Sequence, residues 1–127
     1  MKLLLDTHAF LWIIWDRNLS ATARQAYLDA SNDLYLSAAS YWEICLKVSI
    51  GKLTLLPDWM SRFDDEMTRN GIVWLPIAKE HCQHLLLLPA LHRDPFDRLL
   101  IAQAQHEGMT LLTADANMQQ YAVATLW

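Results

Sequence analysis

The sequence predicts an α/β domain: a mostly parallel sheet with helices on both faces, in three layers. Three observations lead there. Short apolar, strand-like runs alternate with helical stretches along the whole chain, and strands joined through helices make right-handed crossovers into a parallel sheet. Two helix ends carry their own punctuation, Asp94-Pro95 as cap and first position, and Asn70-Gly71 as a C-terminal stop. The 127 residues, 54% of them hydrophobic, include only three Gly and four Pro and show no linker or repeat, which suits one domain over residues 1–127 and argues against disorder.

Each element follows in order. Lys2–Leu5 opens the chain as an apolar strand. Ala9–Trp15 is a helix, apolar on nearly every face and therefore expected to be fully buried, partly against a second subunit. Ser20 caps a second helix through Ala30, and Leu34–Ser37 is the second strand. Ser40 opens a helix to about Ser49, with Ser40-Tyr-Trp-Glu43 reading as a capping box. Asp58–Arg69 is helical, Ile72–Leu75 is the third strand, and Lys79–Leu88 is a helix that stops before Pro89. The helix from Asp94-Pro95 runs to about Gly108, Thr110–Thr113 is the fourth strand, and a short helix from Asp115 precedes a terminal strand over Ala122–Leu126.

Composition excludes several classes. Cys45 and Cys82 are too few for a disulfide scaffold and form no C-x-x-C, so reduced, buried thiols are expected. The longest apolar runs, Ala9–Trp15 and Leu85–Leu91, fall far short of the roughly 20 residues that span a bilayer. Lys2-Leu-Leu-Leu imitates a signal peptide, but Asp6 interrupts it, so a soluble cytoplasmic protein with no membrane partner is expected. Net charge is −4, from 10 basic and 14 acidic residues, a poor balance for a passive nucleic-acid coat.

The acids are informative. Asp6 ends the first strand, Glu43 follows the second, Asp97 opens the helix that feeds the fourth, and Asp115 follows the fourth by two residues. Parallel sheets bind ligands at the carboxyl ends of their strands. With the first, second and fourth strands as neighbours, all four carboxylates meet there. Each also has a local role: Glu43 in a capping box, Asp97 at a helix N-terminus, Asp115 as a cap, Asp6 as a turn residue. Two of those roles already have occupants, since Thr7 is placed to cap the first helix and Asp94 caps the helix carrying Asp97. Clustered anions repel by several kcal/mol unless a cation offsets them, and hard oxygen donors favour Mg²⁺ or Mn²⁺. The whole acidic excess of four equals this one set.

The chain resembles PIN-domain ribonucleases, in particular the VapC-type toxins of bacterial toxin–antitoxin pairs. The resemblance is carried by Leu4-Leu-Asp6-Thr-His8-Ala, Ser37-Ala-Ala-Ser40-Tyr-Trp-Glu43-Ile, Gly51-Lys-Leu, His92-Arg-Asp-Pro-Phe-Asp97-Arg-Leu-Leu-Ile-Ala-Gln-Ala104 and Leu111-Leu-Thr-Ala-Asp115. It implies a PIN-like fold with a five-stranded sheet and a Mg²⁺- or Mn²⁺-dependent endoribonuclease acting on tRNA or other structured RNA. It also implies a homodimer and a cognate antitoxin as partner. The family's acidic quartet falls on Asp6, Glu43, Asp97 and Asp115, with Asp94 accompanying it as an outer acid.

On that reading Asp6 and Asp97 are the principal metal ligands, while Asp115 and Glu43 hold a second metal or orient the attacking water. Thr7 and Thr113 stand beside the acids and either bind a metal-held water or serve as cap and strand end. Arg98, Lys47, Arg93 and Lys52 are the cations placed to grip an RNA backbone; Arg93 and Lys52 read more simply as solvated surface charges. His81-Cys82-Gln-His84 has no partner motif to complete a zinc site. Ser49-Ile-Gly51-Lys52 lacks the earlier glycine of a phosphate loop. His8 reads as a turn residue. Two other classes compete: a magnesium-dependent phosphoryl-transfer domain and a non-catalytic PIN-fold binding module. The first is disfavoured because His8 stands where a phosphatase would place a second Asp and no Lys follows Lys79.

Overall fold

Three leucines in a row set the centre of the molecule. Leu3, Leu4 and Leu5 are all fully buried, which a strand achieves only when both of its faces are covered. In the computed structural model, which describes residues 1–127, that strand is β1 (Lys2–Leu5). It is flanked by β2 (Asp33–Ser37) and β4 (Thr110–Leu112), with β3 (Val73–Leu75) and β5 (Thr125–Leu126) at the edges. The order is β3-β2-β1-β4-β5 and every pairing is parallel. Leu4 stands opposite Tyr35 on one side and Leu111 on the other.

Alternation along the strands divides the apolar side chains into two cores. Leu3 and Leu5 face a cluster with Phe10, Ile13, Tyr27, Ile44 and Phe63. It is closed by α1 (Thr7–Trp15), α2 (Ala21–Leu28), α3 (Ala38–Ser49) and α4 (Trp59–Asn70). Leu4 faces the opposite cluster with Leu100, Ile101, Met109, Leu111 and Met118. That side is covered by α6 (Pro95–Glu107), with α5 (Lys79–His84) packed on it and α7 (Ala116–Gln119) following β4. These are the three layers the sequence predicts.

Several boundaries differ from expectation, each for a hydrogen-bonding reason. Helix α3 begins at Ala38 and is capped by Ser37, whose Oγ accepts from the Ala39 N–H at 3.0 Å. Ser40 is therefore inside the first turn, fully buried, with no hydrogen-bond partner for its Oγ, and no Ser40–Glu43 capping box exists. Helix α1 is capped by Asp6, not Thr7, which is its first helical residue. Within the single chain its Trp12, Ile14 and Trp15 are half-exposed, the part of its apolar surface left for the expected second subunit. Cys82 lies on the exposed side of α5, contrary to the expectation of two buried thiols. No helix is long and apolar enough to cross a membrane.

The strand order has one consequence for function. From β1 the chain moves outward through β2 to β3, then returns to the other side of β1 as β4 and continues to β5. The loops leaving β1 and β4 therefore diverge, and the crevice between them is the switch point where open α/β sheets place ligands.

Candidate metal and active site

Asp6 leaves β1 at that crevice and Thr113-Ala114-Asp115 leaves β4 beside it. Asp6 is 5% exposed. Its Oδ1 accepts from the Ala9 N–H at 2.6 Å, and its Oδ2 accepts from the Thr113 hydroxyl, which ties the ends of β1 and β4 together. Thr113 Oγ1 in turn accepts from the Asp115 N–H at 3.0 Å. Asp115 caps α7 by accepting from the Asn117 N–H at 2.8 Å.

Glu43 enters from α3, nearly fully buried at 4% exposure. The Thr7 hydroxyl donates to its Oε1 at 2.7 Å and Lys47 Nζ reaches its Oε2 at 2.8 Å. Lys47, expected to touch RNA, is thus paired within the chain, one turn along the same helix. A cavity of about 220 Å³ opens beside this pair, lined by Thr7, His8, Trp15, Lys47 and Lys52 among others. It gives the two lysines and His8 a common face next to Glu43.

Asp97 comes from the first turn of α6. Asp94 is the cap of that helix, its Oδ1 accepting from the N–H groups of Phe96 at 2.9 Å and Asp97 at 3.1 Å. The Asp97 carboxylate is held separately: its Oδ2 lies 3.2 Å from His92 Nε2. His92 and its second partner, Tyr121, are the functional neighbours that sequence reasoning did not single out. His92 sat within the most informative motif of the chain, whereas nothing local to Tyr121 signals a role. Arg98, also expected to touch RNA, points back into the protein, donating to Pro89 O at 2.8 Å and to the Tyr121 hydroxyl at 3.0 Å. Arg93 is exposed and free of ion pairs.

The electrostatics show that these acids sense one another. Burial, then the charge of Asp94, push the Asp97 carboxyl up to about 6, with Asp115 and Glu43 adding to the rise and the His92 hydrogen bond opposing it. Burial likewise raises Asp6, opposed by its hydrogen bonds from Thr113 and Ala9 and by His8, with the charge of Asp115 adding a little. So Asp97 feels Asp94, Asp115 and Glu43, and Asp6 feels Asp115. A buried carboxylate surrounded by like charge is the arrangement that a bound cation relieves.

The donor set is chemically suited to a hard divalent ion, since every group is a carboxylate oxygen. It does not close around a point: no three His, Cys, Asp or Glu side chains are arranged to hold one ion. The local bonds explain the spread. Asp6 and Glu43 each have both oxygens engaged by the chain, and Asp115 spends one on its helix cap.

Comparison with known proteins agrees with this fold. The PIN domain family matches residues 3–124. Among solved structures, a chain of VapBC2 from Rickettsia felis, bound to a DNA fragment from its promoter, superposes with a TM-score of 0.77 at 17% identity, covering 98% of this chain and 97% of that one. A chain of FitAcB from Neisseria gonorrhoeae superposes with a TM-score of 0.64 at 21% identity, covering 97% and 95%. A chain of VapBC-1 from nontypeable Haemophilus influenzae gives 0.66 at 18% identity, covering 94% and 91%. No curated protein matches the chain by sequence. With nearly its whole length matched, the chain belongs to the PIN domain family.

Proposed function

We propose that this PIN-domain chain is a divalent-metal-dependent endoribonuclease and the toxin of a toxin–antitoxin pair. One observation carries the reading: four carboxylates from distant parts of the sequence stand at the sheet's switch point, and their mutual charge helps raise Asp97 to about 6. The structural neighbours, two VapBC assemblies and a FitAcB assembly by name, support the pairing with an antitoxin.

Asp6 and Asp97 would be the principal ligands for Mg²⁺ or Mn²⁺, and Glu43 and Asp115 would hold a second ion or orient the attacking water. A divalent ion so held would supply positive charge against the phosphodiester and lower the pKa of the attacking water. The remaining work belongs to the chain. Thr113 fixes Asp6, Thr7 and Lys47 fix Glu43, and Asp94 fixes the helix start that presents Asp97. The oxygen of water bonds to phosphorus in line, the bond from phosphorus to the 3′ oxygen breaks, and that oxygen takes up the proton that the water gives up. The products are a 5′-phosphate and a 3′-hydroxyl. Lys52 and Arg93, exposed near the site's elements, are the cations best placed for the RNA backbone. Leu86 and Leu87, 85% and 76% exposed, offer apolar surface for a protein partner, either a second copy or the antitoxin.

The test is direct. Purified protein incubated with tRNA and total RNA should cut only with Mg²⁺ or Mn²⁺, and a chelator should abolish the products. Cleavage that persists in chelator overturns the metal-dependent reading, and no cleavage under any condition leaves the non-catalytic binding module in its place.

A further inference from the structure

One polar array in the second core is more fully determined than its surroundings require. The Tyr121 hydroxyl, in a residue 4% exposed, has one hydrogen to give and two lone pairs to accept with. Arg98 Nη1 donates to it at 3.0 Å and the His92 backbone N–H donates to it at 3.3 Å, which uses both lone pairs. Its own hydrogen then goes to His92 Nδ1, 2.8 Å away. A ring nitrogen that accepts carries no proton, so the proton of the neutral imidazole is on Nε2. Nε2 in turn donates to Asp97 Oδ2 at 3.2 Å. Every bond in the series Arg98, Tyr121, His92, Asp97 thus has one allowed direction. Arg98 is itself fixed by Pro89 O at 2.8 Å and lies 6.0 Å over the Tyr121 ring.

The backbone of Asp97 needs none of this, because the Asp94 cap already holds its N–H. What the array adds is the orientation of the side chain. His92 is the only group of the chain that hydrogen-bonds the Asp97 carboxylate, and it takes Oδ2, leaving Oδ1 without a partner. We infer that Arg98, Tyr121 and His92 are a positioning relay: Arg98 and Tyr121 lock the His92 tautomer, and His92 turns the Asp97 carboxylate so that Oδ1 is presented to the cation. The inference rests on Asp97 being a metal ligand, and it gives Arg98 an internal role in place of contact with RNA.

The test uses the full chain, with Mn²⁺ as probe and no RNA. In metal-free protein, long-range ¹H–¹⁵N spectra of the His92 ring should show the Nε2–H tautomer, and Tyr121→Phe, which removes one oxygen, should give a mixture of tautomers. Calorimetric Mn²⁺ affinity should fall about 10- to 100-fold in Tyr121→Phe and in His92→Leu, the usual cost of losing an outer partner of a ligand. His92→Gln, whose amide nitrogen can stand where Nε2 stood, should recover much of the loss. The double variant should be no weaker than His92→Leu alone, because both changes act through one bond. An Nδ1–H tautomer in the wild type, or unchanged Mn²⁺ affinity in Tyr121→Phe, overturns the relay while the metal site stands. Wild-type protein that binds no Mn²⁺ overturns the metal site, and the relay's purpose with it.

Discussion

Two regions of this molecule gather metal-capable side chains, and they are built on opposite plans. At the switch point, Asp6, Glu43, Asp97 and Asp115 bring like charges together. Between α5 and α6, His81, His84, His106 and Glu107 bring complementary groups together. His81 is 2% exposed, accepts from the Ala78 N–H at 2.9 Å on Nδ1 and donates to Glu107 Oε1 at 2.8 Å from Nε2. His84 Nε2 donates to Gln105 Oε1 at 2.8 Å, and the His106 ring stands edge-on to both histidines. Both ring nitrogens of the buried His81 and the Nε2 of His84 end on partners of the right kind. The second region is a satisfied helix contact; the first leaves a charge for something outside the chain to neutralise. Residue type alone does not separate a site from packing. The sign of the neighbours does.

The largest effect is expected at Asp97. Asp97→Asn should lower RNA cleavage at least about a hundredfold while leaving the circular-dichroism spectrum unchanged. Cleavage at the wild-type rate would remove Asp97 from the site.

A smaller effect sharpens the same contrast. The Asp97 carboxyl titrates near 3.8 when unfolded and about 6 when folded. A raised folded value means that the neutral form favours the native state. Its stabilising contribution is complete below about pH 4 and is lost as pH rises through 6, at most about 3 kcal/mol in all. In metal-free protein, Asp97→Asn should therefore be more stable than wild type at pH 7, with the gap closing towards pH 4. Urea unfolding at both pH values measures it, and a gap that does not change with pH would refute the raised carboxyl that burial and the neighbouring acids produce.

The histidine contact should respond in the reverse sense. His81→Leu strands the Ala78 N–H and should cost about 1–3 kcal/mol of stability. RNA cleavage below the unfolding temperature should stay at the wild-type level, and a loss of cleavage there would place the second region in the site. Least affected is Cys82→Ser, on the exposed side of α5, expected within about 0.5 kcal/mol of wild type in the same urea titration.

Much of this was legible without coordinates. The caps at Ser20, Asp94 and Asp115 and the glycine stops at Gly71 and Gly108 stand where local chemistry places them. Their partners lie within a few residues, so a short window contains the whole interaction. Where two residues competed for one role, the window was not enough. Ser40 reads as the cap of α3, but Ser37 holds the position, because β2 runs on to that residue and pairs it with Leu75. Asp6 and Thr7 competed likewise, and Thr7 instead gives its hydroxyl to Glu43, a partner 36 positions away. Lys47 and Arg98 read as surface cations because their partners are invisible to charge counting. One is a carboxylate buried by folding, the other a backbone carbonyl and a tyrosine hydroxyl.

By itself the sequence determined the alternation of strand and helix, the solid apolar runs that demand cover on both faces, and the presence of four acids at element ends. These are short-range properties, set by side-chain volume, capping chemistry and backbone preference. Only the tertiary structure decided which of those acids face one another, how strongly they repel, and that His92, Tyr121 and Arg98 stand behind Asp97. Those are properties of distance between groups far apart in the chain. They come into being when parallel pairing brings the carboxyl ends of β1 and β4 side by side and burial strips the water that would otherwise screen them.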